Sequence, residues 1–259
     1  MENKYELKPR GYGEILDISF DIYKKNFLLL IGVAAIIYIP IAILGAILIG
    51  SIASANVPMM IITLVILYFA ILILSVLANG AMVKVISERY LGNPITIMDA
   101  YKFVYSKLFD YILTSILAYI LILAGFICLV IPGIIFCFWI AFIPQILILE
   151  NISGWNNIMR GKNLIGGNAG RLIVFGVLYF IIVLIGSLII GFIFGMVLPG
   201  AVHSKAFDHI SNSIINIFAL PLLTTIITIL YYDIRIRKEG FDLEMLAASL
   251  RTEKKSEMI

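Results

Sequence analysis

The segment Leu230–Glu244, LYYDIRIRKEGFDLE, sets the orientation of the whole chain. An apolar run ends here in two tyrosines, and charged residues of both signs follow at once. Aromatic side chains at the edge of an apolar run are typical of the membrane interface, and basic residues directly beyond it are typical of the cytoplasmic side. The segment therefore predicts the last exit of a membrane-spanning helix, with Tyr231 and Tyr232 as interfacial anchors.

The composition places the chain among membrane proteins. Of its 259 residues, 62% are apolar and 14% are charged, and the mean hydropathy is +1.07. A soluble domain carries about 25% charged residues. Cys128 and Cys137 both lie in apolar runs, so no disulfide framework is expected.

Six apolar runs predict an all-α polytopic membrane protein with a single integral membrane domain over residues 1–259. The fourth run is shorter than the roughly 20 residues that a crossing needs, so the third and fourth runs predict a tilted or incomplete hairpin. Pro132 and Gly133 predict the tight turn between them. We predict spans at about 27–50, 58–83, 111–131, 134–149, 172–197 and 211–232, followed by a cytoplasmic tail over 233–259.

Three amphipathic segments predict helices that lie in the membrane interface, at 12–25, 96–110 and 153–164. Thr96 precedes the second segment as a candidate N-cap. Residues 15–27 and 97–109 share Ile, Asp, Tyr, Lys and Phe at matching positions. The expected plan is three units, each an interfacial helix followed by two spans.

The basic residues predict which side each connection faces. Of the 19 Lys and Arg side chains, only Lys205 falls in a connection on the opposite side from the tail. Such an asymmetry is typical of the positive-inside rule, and it predicts that both termini are cytoplasmic.

The polar groups within the predicted spans are uncharged. Ion-coupled carriers usually hold an ionisable residue at depth, so this pattern disfavours a proton-driven transporter. Interhelical hydrogen bonding is the favoured role, and a substrate role is the alternative. These residues are Asn79, Ser115, Gln145, Ser187, Asn216, Thr224, Thr225 and Thr228.

Small residues recur at four-residue spacing in two spans. Ala46 and Gly50 belong to the first stripe, and Gly191 and Gly195 to the second. Such stripes let helix backbones approach closely. Packing within one subunit is the favoured interpretation, and homodimerisation is the alternative.

Neither a metal nor a cofactor is predicted. His203, Asp208 and His209 have suitable side chains, yet their spacing does not place them on one helix face, which favours a solvated loop. Nucleotide-binding, zinc-protease and nucleophile-elbow motifs are absent from the sequence. Basic residues directly beside a span indicate lipid head groups as partners rather than nucleic acid.

Charged residues near the span ends form a candidate junction that is either structural or lipid-contacting. The tail mixes acids and bases within ten residues, which favours a folded junction over a free basic tail. We suggest pairs of Glu14 or Glu150 with Arg235 or Arg237. The candidate residues are Glu14, Asp17, Glu150, Asp233, Arg235, Arg237, Lys238, Glu239 and Asp242.

Three blocks of the sequence carry a family resemblance. They are GYGEILD with YKKNFLLL from Gly11, the prolines and glycines from Pro132 to Gly154, and YYDIRIRKEGFDL from Tyr231. Together they resemble the membrane domain of glycerophosphoryl diester phosphodiesterase and its stand-alone relatives. The resemblance implies a cytoplasmic membrane protein of a prokaryote. The His-Arg-Gly and acidic motifs of that enzyme's catalytic barrel are absent, so diesterase activity is not implied.

Two functions are compatible with these patterns. The first is a non-catalytic scaffold that contacts lipid, or a membrane partner subunit for another protein or a second copy. The second is a transporter or channel component for a lipidic or neutral solute, which the prolines within the spans and the short fourth run favour.

Overall fold

The computed structural model describes residues 5–52, 57–197 and 205–241. Over these ranges the chain is helical and contains no strand, which confirms the predicted all-helical class. The helices are α1 (Tyr12–Lys25), α2 (Phe27–Ile52), α3 (Val57–Tyr90), α4 (Ile97–Tyr105), α5 (Leu108–Cys128), α6 (Val130–Ile140), α7 (Ile143–Gln145), a π-helical turn (Ile146–Glu150), α8 (Gly154–Ile165), α9 (Ala169–Val197) and α10 (Lys205–Glu239).

Among the described residues, five helical segments are long and apolar enough to cross a membrane. A sixth is added if α1 and α2 count as one bent unit, with an angle of 77° between them. The bend lies at Asn26, which ends α1 in a non-helical conformation. The chain is therefore a membrane-type helical protein with five to six such segments.

Helix α10 lies at the centre of the bundle. In its most apolar window, 61% of the residues are buried, against 6% in the windows of α3 and α9. Many large apolar side chains of α3 and α9 point outward, as Ile66 and Phe180 do at 65% exposure each. An outward apolar surface is stable only against lipid, whereas α10 is enclosed by protein.

The predicted turn at Pro132-Gly133 is wrong. The chain reverses at Leu129, whose backbone is extended between α5 and α6 (φ −166°, ψ 152°). Pro132 fits the first turn of α6 because the first helical N–H groups need no partner there. A Cβ on Gly133 would lie 2.6 Å from the Phe126 ring, so this glycine serves the close contact between α5 and α6.

The earlier start of α6 also changes the expected hairpin. Residues Val130–Glu150 form a 21-residue segment, long enough to cross, although it is broken between α6 and α7. The fourth segment is therefore not short.

Two other helices extend past their predicted ends. Helix α3 continues to Tyr90, and α10 begins at Lys205 and reaches Glu239. Part of the predicted outer loop is thus helical. His203 lies outside the described residues, as do the side chains of Asp208 and His209.

The short helices α4 and α8 are capped or positioned by polar contacts. Thr96 caps α4, since its hydroxyl accepts a hydrogen bond from the Asp99 N–H at 3.2 Å. The Tyr101 hydroxyl donates to the Val33 carbonyl of α2 at 2.7 Å. In α8, the Asn157 amide donates to the Ile152 carbonyl at 2.8 Å. The first contact stabilises the start of α4, and the other two tie α4 to α2 and α8 to the segment directly before it.

Candidate functional site

The end of α10 meets α8, the π-helical turn and the beginning of α9, and most of the described ion pairs lie here. The end of α3 and the segment just before α5 line a pocket in the same region. We call this region the charged end. Two groups of ion pairs organise it, one around Asp233 and the other around Arg160. Both involve the last turns of α10, so the central helix carries the charged end.

Asp233 is the centre of the first group. Its side chain is 1% exposed and accepts hydrogen bonds from the guanidinium of Arg171 and from Nε of Arg237, the latter at 2.9 Å. The backbone N–H of Arg10 donates to its other oxygen at 2.6 Å. A buried carboxylate is strongly unfavourable unless charges and donors surround it, and these three donors provide that surrounding.

The same two arginines also hold the carbonyl of Arg10. Arg237 donates to this oxygen at 2.7 Å and Arg171 donates at 3.2 Å. The backbone N–H of Arg10 is therefore bound by Asp233, and its carbonyl is bound by Arg171 and Arg237. The N-terminal segment before α1 is fastened to the end of α10 by its backbone.

Arg160 is the centre of the second group. It binds Glu150 through two hydrogen bonds, Nε to Oε2 at 2.8 Å and Nη2 to Oε1 at 3.1 Å. It also donates to both carboxylate oxygens of Glu239, with Nη2 at 2.7 Å from Oε2. The hydrogen bonds that Arg160 donates to Glu239, and then those that it donates to Glu150, raise the pKa of Arg160 above its ordinary value despite burial. Arg160 therefore stays charged and bridges α8, the π-helical turn and α10.

Arg235 completes this group. Its Nε lies 3.1 Å from Glu239 and 3.7 Å from Glu150. Its guanidinium also stacks 4.1 Å from the centroid of the Phe241 ring. The two acids Glu150 and Glu239 and the two arginines Arg160 and Arg235 thus form a network. Each charged group in it lies next to groups of opposite charge.

Aromatic rings pack beneath the charges. Tyr232 lies 5.2 Å from Tyr90 and 5.6 Å from Phe241, measured between ring centroids. Its hydroxyl is 2.7 Å from that of Ser87, and the Tyr231 hydroxyl donates to Glu150. The prediction that Tyr231 and Tyr232 are interfacial anchors is wrong, because both are buried where α10 is enclosed by other helices.

The N-terminal segment joins this aromatic layer. Tyr5 stacks on Tyr90 at 5.7 Å and its hydroxyl donates to Asp21 of α1. Burial and this hydrogen bond raise the pKa of Tyr5 to about 12. Tyr5 therefore remains a donor at neutral pH.

Several predicted junction residues have other roles. Glu14 is exposed and accepts a hydrogen bond from the Gly11 N–H at 2.9 Å, so it caps α1 and does not pair with Arg235 or Arg237. Asp17 is exposed. Lys238 donates to the Asn163 carbonyl at 2.6 Å, near the end of α8. Asp242 lies outside the described residues.

The sequence interpretation missed Arg10, Arg160 and Arg171 as members of the two groups. They were counted only as basic residues on one side of the membrane. One signal could have indicated them: Asp233 interrupts a nearly apolar run, and a carboxylate there requires cations from other segments.

The predicted glycine stripe of α9 includes Gly191. A Cβ built on this residue would meet no atom within 4 Å among the described residues. Within the described part of the chain no helix packs closely on this glycine, and the role of the stripe stays a prediction. Gly195 is half-buried in α9. The burial of Ala46 and Gly50 in α2 is not among the features that the structure describes.

A second feature lies within the bundle, between α3, α5 and the break from α6 to α7. It is a cavity of about 350 Å³ with uncharged lining residues. The polar side chains in its wall include Ser75 and Asn79 from α3, and Tyr111 and Ser115 from α5. Of the polar residues predicted at depth, Asn79 and Ser115 are thus brought together. By contrast, Gln145 reaches Thr228 of α10 at 3.4 Å.

Comparison with known proteins gives no assignment: the chain matches no protein-family model, no curated protein and no solved structure.

Proposed function

We propose that this chain is a non-catalytic membrane protein that acts as a lipid-contacting scaffold or as the membrane partner of another protein. The observation that carries the proposal is the junction at the charged end. There, ion pairs fasten the N-terminal segment, α8, α9 and the π-helical turn to α10. Charges that bind each other suit a rigid platform better than a reaction centre.

The proposed topology has six spans, with both termini in the cytoplasm of a prokaryote. In this arrangement α2, α3, α5, the segment Val130–Glu150, α9 and α10 cross the membrane. The short helices α1, α4 and α8 lie along the inner interface. The distribution of Lys and Arg supports this orientation.

Contact with anionic lipid is supported by a basic pocket at the charged end. A cavity of about 500 Å³ is lined by Lys84, Lys107 and Arg235, with Glu88 as the one acid in its wall. Lys84 pairs with Glu88 at 2.6 Å and Arg235 faces Glu150 and Glu239, whereas the described partner of Lys107 is the neutral side-chain amide of Asn151. Lys107 is therefore the basic residue of this pocket on which the proposal depends. Basic groups at this depth attract phosphate head groups by about 1 kcal/mol each.

The experiment compares the purified protein in nanodiscs of zwitterionic lipid with and without anionic lipid, by native mass spectrometry. We expect the wild type to retain anionic lipid, and Lys107→Gln to retain less. Lys102→Gln is the matched control, because Lys102 is an exposed lysine of α4 outside the pocket. A protein that shows neither a preference for anionic lipid nor a partner in pull-downs from its native membrane would refute the scaffold role.

A transporter or channel component for a lipidic or neutral solute is the second candidate. The observation that favours it is the polar-lined cavity between α3 and α5. Solute flux in proteoliposomes above that of protein-free vesicles would support this role. A flux that equals the protein-free background for neutral and lipidic solutes alike would contradict it.

A further inference from the structure

We propose that the cavity between α3 and α5 binds a neutral amphiphile, a molecule with an apolar chain and a small uncharged head such as the hydroxyl and esters of diacylglycerol. This inference goes beyond the scaffold role and does not depend on it. Three properties of the cavity carry it: unpartnered polar groups, the absence of charge in its wall, and its depth.

Tyr111 is the strongest indication of a polar ligand. Its side chain lines the cavity and the residue is 3% exposed. Its hydroxyl forms no hydrogen bond to another described residue and is not among the fully enclosed polar atoms, so it faces the open space of the cavity. A hydroxyl that lines such a space is expected to bind water or the polar group of a ligand.

Two further polar groups point to the same place. Ser115 follows Tyr111 by four residues and therefore shares its face of α5. Asn79 faces them from α3. Neither side chain forms a hydrogen bond to another described residue, whereas the neighbouring Thr114 hydroxyl bonds the Asp110 carbonyl at 2.7 Å. The cavity therefore offers a hydroxyl pair and an amide to a single small head group.

The position of Tyr111 is fixed by close packing against α3. A Cβ on Gly80 would lie 3.1 Å from the Tyr111 ring and 2.8 Å from Val104. The glycine thus lets the ring lie against the α3 backbone. A ring held in this way keeps its hydroxyl in place without a ligand, as a binding site requires.

The wall carries no charge. The cavity-lining residues include no Asp, Glu, Lys, Arg or His, and apolar surface predominates. An unpaired phosphate or ammonium group would lose its hydration here without compensation. This property excludes ionic head groups and leaves hydroxyl, ester and amide groups. The volume of about 350 Å³ lies within the range of small-molecule sites.

The depth of the lining residues orients the amphiphile. Tyr111 lies in the first turn of α5, at the charged end, and Tyr119 lies about 12 Å further along the helix at a rise of about 1.5 Å per residue. Tyr68 and Tyr119 line the cavity and are also exposed on the outer surface, at 62% and 58%. The head therefore binds near the charged end, and the chain extends past these two tyrosines toward the lipid.

The test uses a diacylglycerol probe with a diazirine in its acyl chain, and the full chain in nanodiscs. We expect photolabelling of peptides from α3 and α5. Tyr111→Phe and Ser115→Ala each remove one hydroxyl and should reduce the apparent affinity by roughly 2- to 10-fold. Ser187→Ala is the matched control, because that hydroxyl binds its own helix at the Val183 carbonyl and should leave labelling unchanged.

Competition on the wild-type protein keeps the test independent of variant folding. Unlabelled diacylglycerol should displace the probe at least about 10-fold more effectively than phosphatidate or a plain alkane, because only the first has both a chain and a neutral head. Equal competition by the three, labelling confined to other helices, or equal affinity in Tyr111→Phe, Ser115→Ala and Ser187→Ala would each overturn the proposal. The anionic-lipid assay measures binding at the basic pocket and not at this cavity. Failure of the scaffold proposal and failure of the amphiphile proposal can therefore be distinguished.

Discussion

The buried carboxylate of Asp233 accepts a hydrogen bond from the backbone N–H of Arg10 at 2.6 Å, across 223 positions of sequence. A contact to the backbone does not depend on the side chain at position 10. The aspartate is therefore the residue that this junction requires, and it is the first to test.

Asp233→Asn should destabilise the protein by about 3–5 kcal/mol, because two arginines would then lie at a buried site without their counter-charge. Unfolding in detergent, followed by the loss of near-ultraviolet circular dichroism, measures the change. Asp17→Asn is the control, and its exposed position predicts a change within about 0.5 kcal/mol. Equal stability of the two variants would contradict the central role of Asp233.

The bridge from Arg160 to Glu239 should show strong energetic coupling. A double-mutant cycle with Arg160→Gln and Glu239→Gln should give a coupling energy of about 0.5–3 kcal/mol, because the pair shares several hydrogen bonds and the neighbouring acid Glu150. The exposed pair Lys8 and Glu6, at 3.1 Å, serves as the control and should give about 0–1 kcal/mol. Additive effects at both pairs would show that the network is not cooperative.

Glycines of different surroundings should respond differently to the same substitution. Gly133→Ala places a methyl group 2.6 Å from the Phe126 ring and should cost about 1–3 kcal/mol through overpacking. Gly191→Ala meets open space and should be neutral or slightly stabilising, since alanine favours helix by about 1 kcal/mol. Thermal unfolding in detergent compares the two variants. Destabilisation by both would indicate that the outer face of α9 is covered.

The same glycine also tests homodimerisation through the α9 stripe. If two copies meet at this face, Gly191→Leu should convert dimers into monomers while the folded monomer remains intact, because bulky side chains prevent close helix approach. Size-exclusion chromatography with light scattering measures the mass. Wild type and variant of the same monomeric mass would eliminate a homodimer through Gly191.

The orientation can be tested with single cysteines in a background of Cys128→Ala and Cys137→Ala. Lys102→Cys should resist a membrane-impermeant maleimide in intact cells, and Lys205→Cys should react. This outcome follows from the excess of basic residues on one side. The reverse pattern would place the charged end outside the cell.

The helical class could be predicted from composition and periodicity because lipid as solvent demands long apolar helices. The pairing of charges could not. Arg171 and Asp233 are 62 residues apart, and Arg160 and Glu239 are 79 apart, so only the packing of α8 and α9 on α10 brings them together. The distance of 3.7 Å between Arg235 and Glu150 corresponds to one of the suggested pairs. Glu14 forms none of the suggested pairs, because the Gly11 N–H at the start of its own helix is a nearer donor.

The break at Leu129 shows a different limit of the sequence. Proline and glycine at positions 132 and 133 are typical of turns, but each also has a role inside a helix that depends on its neighbours. Gly125 and Gly133 lie eight residues apart, and a Cβ on Gly125 would lie 2.9 Å from the Cα of Gly133. This close approach of two backbones can be recognised only from the three-dimensional packing of α5 against α6.

The hydrogen bond between the Arg10 N–H and Asp233 also sets the order in which parts of the fold can form during synthesis. The N-terminal segment leaves the ribosome early. Asp233 emerges only after most of α10 has been synthesised. Until then Arg10 and Arg171 have no acid at position 233 to bind, and α1 and α9 lack the central helix against which they pack. The packing of α10 is thus a late step in folding, and a chain that ends before it lacks the carboxylate that binds the Arg10 backbone and the Arg171 side chain.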